Sequence, residues 1–132
     1  MRKPLIAAFA ALAMIPAATM AVAANAAPKG VWTNPKKNVR VTFQRCGDAM
    51  CGKVIWASPE AQAKAGMPLV GTMLFEDFVE EGPGEWSGSV LIPDIGQSVT
   101  GTIRQMDANT LVGEGCVIAG LGCKSQTWTR MR

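Results

Sequence analysis

The feature that most narrows the fold is a cadence of short strand-like runs separated by turn-length links. From Asn38 to Arg45, Val39, Val41 and Phe43 alternate with Arg40, Thr42 and Gln44, the period-two pattern of a strand with one buried face. The segment "CGDAMC" then turns the chain, and Gly52 to Ala57 reads as the partner strand of a hairpin. Further runs follow at Thr72–Val79, Trp86–Ile92, Val99–Arg104, Thr110–Val117 and Lys124–Met131, divided by "EEGPGE", "PDIG" and "DAN". With Gly30–Thr33 ahead of them, these make eight short strands in chain order. Only "SPEAQAKAG" breaks the pattern: Ser58 suits an N-cap, Pro59 a first helical position and Gly66 a helix end. A meander of this kind either leaves two exposed edges or closes on itself. Eight strands is the size of a barrel whose interior is filled or holds one small ligand. The expected fold is all-β: a small eight-stranded antiparallel up-and-down barrel with one short helix.

The first residues stand outside that pattern. Met1-Arg2-Lys3 is basic, Leu5 to Ile15 is apolar and rich in alanine, and Pro16 leads to small residues ending in "AVAANAA". This is the grammar of a secretory signal peptide, with cleavage options after Ala23 or Ala26, of which Ala26 is favoured. An uncleaved anchor would want about 20 strongly apolar residues, whereas this stretch is mostly alanine interrupted by Pro16. Residues 1–26 are therefore expected to be a leader and residues 27–132 a single domain. The expected product is periplasmic, or extracellular, with no stable membrane insertion after cleavage, and monomeric.

Charge and composition remove several classes of function. Without Arg2 and Lys3, the 13 lysines and arginines of the full chain fall to 11 against 10 acids, so the basic pI of 8.8 misleads. Lys36-Lys37 and Arg130-Met131-Arg132 read as scattered positive groups, so no nucleic acid is expected as a partner. Histidine is absent, which removes the commonest general base and metal ligand. With no phosphate-cradling glycine loop either, the chain is expected not to be an enzyme and to carry no cofactor or metal. The acidic run Glu76, Asp77, Glu80, Glu81 and Glu85 reads as a solvated strand end and loop.

The four cysteines, Cys46, Cys51, Cys116 and Cys123, allow three pairings. An even count in an exported chain reads as disulfides. Spacing favours the local pairs Cys46–Cys51 and Cys116–Cys123, since each encloses a short glycine-containing turn whose ends face one another. A redox pair would want C-x-x-C, and a zinc site would want closer knuckles.

If the sheet closes, its first strand meets its last, bringing Trp32 towards Arg130. The indole would plug the closed end, Arg130 would stack on its face, and Gly30 would let the chain pass close to the ring. G-x-W opening the first strand with an arginine near the end of the last resembles the calycins, which include the lipocalins. The wider set "GVWT", "VRVTFQRCGDAMCGKVIWA", "GEWSGSVLIPDIGQSVTG" and "LVGEGCVIAGLGCKSQTWTR" is similar to the exported bacterial family known as domain of unknown function 2147. That resemblance spans Gly30 to Arg130 and implies a lipocalin-like barrel in the bacterial envelope. The chain differs at Val99, where many members carry an aromatic residue.

Two functions follow as expectations. In the first, the barrel binds a small apolar molecule, with Trp56, Phe75, Trp86 and Trp128 as the candidate ligand contacts. In the second, the protein is an envelope interaction protein, such as a protease inhibitor or assembly partner, working through Ser58–Pro68 and Glu80–Glu85.

Overall fold

The computed structural model describes residues 27–116 and 122–132. The expected leader, residues 1–26, lies outside them, as does the middle of the Cys116–Cys123 loop. Eight antiparallel strands run in chain order: β1 (Val31–Thr33), β2 (Val39–Cys46), β3 (Ala49–Ala57), β4 (Met73–Gly82), β5 (Glu85–Ile92), β6 (Gln97–Asp107), β7 (Thr110–Cys116) and β8 (Cys123–Arg130). Each pairs with the next, and β1 pairs with β8, so the sheet is a closed lipocalin-like barrel. Closure removes both free edges.

The turns follow local chemistry, and tight turns let several strands run longer than alternation alone implies. Between β2 and β3 only Gly47 and Asp48 lie outside the ladder, with Cys46 opposite Ala49. Gly47 takes the positive φ of 65° that a two-residue hairpin of this kind needs at its first position. At the β4–β5 turn, Pro83 fixes its own φ and Gly84 supplies φ 71°. This shortens the expected "EEGPGE" turn to Pro83 and Gly84 and carries β4 on to Gly82.

The helix α1 (Pro59–Lys64) lies between β3 and β4. Ser58 caps it by accepting a hydrogen bond from the Ala61 N–H at 3.1 Å, and Pro59 takes the first turn, where its missing N–H costs nothing. The helix ends at Ala65 in extended backbone, one residue before Gly66. Gln62 then ties down the return: its amide donates to the Met67 carbonyl at 2.8 Å and accepts from the Leu69 N–H at 2.8 Å. Ala61, Ala65 and buried Leu69 pack on the core, so this segment covers one end of the barrel.

The core is the barrel interior. Trp32, Val41, Met50, Val54, Leu74, Phe75, Phe78, Trp86, Ile103, Leu111 and Trp128 are all buried there. Alternation places most of them inward, but the ladder shifts register at several points, and two of these shifts decide where aromatic rings lie. In β4 a bulge at Asp77, which adopts φ 57°, brings Phe75 and Phe78 inward although they are three residues apart. Between β2 and β3, Val41 faces Val54 while Arg40 faces Trp56, so Ile55 is an extra residue on β3.

The two disulfides join Cys46 to Cys51 and Cys116 to Cys123, with Cα atoms 5.9 Å and 4.1 Å apart. The second links directly opposed residues of β7 and β8. Each closes a short loop and contributes about 2 kcal/mol in the chain-entropy account.

Candidate functional site

Aromatic rings fill the barrel interior. Phe75 lies at its centre, with ring centroids 5.5 Å from Phe43, 5.8 Å from Phe78 and 5.6 Å from Trp128. Contacts of this tilted or edge-to-face kind are worth about 0.5–1.5 kcal/mol each beyond their burial. Glycines make room for these rings. A β-carbon at Gly52 would lie 2.6 Å from Phe75 and 2.9 Å from Phe43, and one at Gly88 would lie 2.8 Å from Phe78. Phe75, Trp86 and Trp128 thus share the interior, each about 5% exposed or less. Phe43, Phe75, Phe78 and Trp128 form one packed layer of rings, and Trp86 is buried in the same core.

Trp56 is not part of that layer, which corrects the expectation that it lines the same cup. Strict alternation from inward Val54 would turn Trp56 inward too. The extra residue Ile55 shifts the phase by one and re-aims Trp56 through the wall to the outside. There Trp56 is 37% exposed, and the Arg40 guanidinium lies 4.4 Å from its ring centroid. The expected stack of Arg130 on Trp32 is likewise corrected: among the described residues the guanidinium–ring stack is that of Arg40 on Trp56. Trp32 is fully buried and pairs with Arg130 across the β1–β8 seam. The arginine side chain instead crosses the space left by Gly30, where a β-carbon would sit 2.7 Å from its Nε. Gly30, Trp32 and Arg130 therefore meet at the barrel closure.

The outer wall over β1, β2 and β3 carries a hollow of about 310 Å³ lined by Val31, Arg40, Ile55, Trp56, Met131 and Arg132. The β1–β2 ladder and the hydrogen bond from the Met131 N–H to the Val31 carbonyl at 2.7 Å fix its floor. Chemically it is an apolar shelf with two arginines at its margin. Arg40 is preorganised by its stack on Trp56, which leaves guanidinium N–H groups free to bond an anion bidentately. Sequence reasoning missed this site because its residues come from three separate stretches of chain and from one bulge.

Two other clusters hold internal contacts, although the buried Trp86 Nε1 in the wall of the first has no hydrogen-bond partner among the described residues. A hollow of about 120 Å³ at β4–β6 holds Glu81, Glu85 and Arg104. There Arg104 pairs with Glu85 at 3.6 Å, and Glu81 accepts from the Ser87 hydroxyl at 2.5 Å. Glu114 lies beside Cys116 and Cys123, but the disulfide leaves neither sulfur as the thiolate that a metal would bind.

The sequence model of a bacterial family, described as an uncharacterized protein conserved in bacteria (DUF2147), matches residues 30–130. Nothing matches among curated proteins, nor among solved structures.

Proposed function

Since the chain belongs to the DUF2147 family of bacterial proteins, whose model spans the barrel from Gly30 to Arg130, we propose that it is an exported, non-catalytic binding protein that works through its outer wall. Its two disulfides support an oxidising compartment. The observation that carries this reading is the Arg40–Trp56 shelf, an exposed aromatic ring and cation set among Val31, Ile55 and Met131. Such a surface suits a molecule with an apolar body and one anionic group. Binding inside the barrel ranks second, because a guest there would have to displace Phe75 from three aromatic neighbours.

Titration with dodecanoate, followed by tryptophan fluorescence, tests the reading. A saturable change should occur in the native protein, and it should vanish in Trp56→Phe and weaken in Arg40→Ala. A change that survives Trp56→Phe and disappears in Trp128→Phe would put the ligand inside the barrel instead.

A further inference from the structure

The barrel is divided electrically in a way that the linear sequence hides. Closure makes β8, β1, β2 and β3 one continuous arc and β4 to β7 the other. Residues 29–57 and 122–132, which form the first arc and its connections, carry nine lysines and arginines and one acid, Asp48. Residues 73–116, which form the second, carry eight acids and one base, Arg104. The groups that read as scattered along the chain thus gather on one side. The ion pair of Arg104 with Glu85 lies wholly within the acidic arc. A nearly neutral chain is folded into a strong lateral dipole.

The apolar shelf lies on the basic arc. Ile55 and Trp56 are 41% and 37% exposed, and Arg40 and Arg132 stand at the shelf's margin. Lys53 lies opposite Thr42 on the same outward register. Tryptophan and arginine beside aliphatic side chains, on a positive field, is the combination that settles at the headgroup level of an anionic bilayer.

We infer that the basic arc docks the barrel on an anionic lipid surface, with Trp56, Ile55 and Met131 at headgroup depth and Arg40 and Arg132 on lipid phosphates. This rests on the outer wall being the working surface. A second copy of the chain is the competing occupant, because its acidic arc would complement the charge. That arc offers no apolar counterpart: its exposed Val79, Ile95 and Met106 lie on β4, in the β5–β6 turn and near the end of β6. Charge complementarity with apolar contact therefore favours lipid.

Sedimentation with extruded vesicles tests the inference. The protein should bind vesicles containing phosphatidylglycerol, bind phosphatidylcholine vesicles far more weakly, and come off at about 0.5 M salt. Each phosphate-facing cation contributes roughly a fivefold factor in partitioning. Arg40→Glu should therefore lower binding by more than about tenfold, and Trp56→Ser should lower it too while removing a blue shift in fluorescence. Both side chains lie outside the core, so an unchanged near-UV spectrum should confirm that each variant is folded. Glu114→Lys, on the acidic arc, should leave binding undiminished. Equal partitioning onto both vesicle types, or unaltered binding by Arg40→Glu, would overturn the inference. So would concentration-dependent self-association that Arg40→Glu abolishes, since the arc would then serve a second copy. Saturable dodecanoate binding without any vesicle binding would refute lipid docking alone and leave the outer-wall reading standing.

Discussion

The glycines facing the barrel interior allow a test of how tightly it is packed. Gly88 on β5 and Gly113 on β7 are both inward-facing, and neither has a positive φ, so alanine is allowed by the backbone at each. Their surroundings differ. A β-carbon at Gly88 would come within 2.6 Å of the Glu76 carbonyl oxygen, 2.8 Å of the Asp77 carbonyl oxygen and 2.8 Å of Phe78. Two of these obstacles are backbone atoms at the β4 bulge, which cannot rotate away as a side chain can. Overpacking costs about 1–3 kcal/mol, and this geometry argues for the upper half of that range. The reduced entropy of the unfolded chain returns about 0.4–1 kcal/mol, leaving a net loss of about 2 kcal/mol. At Gly113 the nearest atom is Trp128 Nε1 at 3.9 Å, an ordinary contact. There only the entropy gain remains, so Gly113→Ala should stabilise by about 0.5 kcal/mol. For a domain of this size the first change lowers Tm by roughly 8–16 °C and the second raises it by a few degrees. Thermal and denaturant unfolding, followed by tryptophan fluorescence, measures both. Equal stability of Gly88→Ala and the native protein would refute the packed interior, and a loss above about 1 kcal/mol in Gly113→Ala would refute the ordinary spacing at that position.

Further expectations concern the closure and the disulfides. Trp32→Ala should cost about 3–5 kcal/mol in chemical denaturation, because a fully buried indole is lost from the β1–β8 seam. Arg130→Ala should cost about 1 kcal/mol, since its side chain is exposed; a larger loss than for Trp32 would contradict this ranking. Cys46→Ser with Cys51→Ser should lower stability by about 2 kcal/mol without unfolding the barrel, and full reduction, which opens both disulfides, should cost about twice as much.

The order of the strands was readable because alternation and turn chemistry agree along most of the chain. Val39, Val41 and Phe43 declare one face of β2, and Pro83-Gly84 declares the turn after β4. The bulges were not readable. Nothing in "KVIWA" marks Ile55 as an extra residue, because a bulge is set by how two strands share register, not by the composition of either. That single insertion decides whether Trp56 belongs to the core or the surface. Asp77 has the same status: its positive φ carries Phe78 inward, where period two would have placed Asp77. The charge division was hidden for a related reason. Lys36, Lys37, Arg130 and Arg132 lie at opposite ends of the sequence, and only the closing pair of strands makes them neighbours. The disulfides needed no such long-range information, because each joins residues of one hairpin.

The seam between Trp32 and Arg130 also orders events in time. Every other strand pair joins neighbours in sequence, so those hairpins form as soon as their own residues are available. The β1–β8 pair must wait for nearly the whole chain. Until residues 123–130 arrive, β1 presents an open row of backbone donors and acceptors. The three residues Val31–Thr33 keep that row short, a brevity that limits mispairing with other chains during the longest interval of assembly. The last strand to be made is thus the one that ends the exposure of the first.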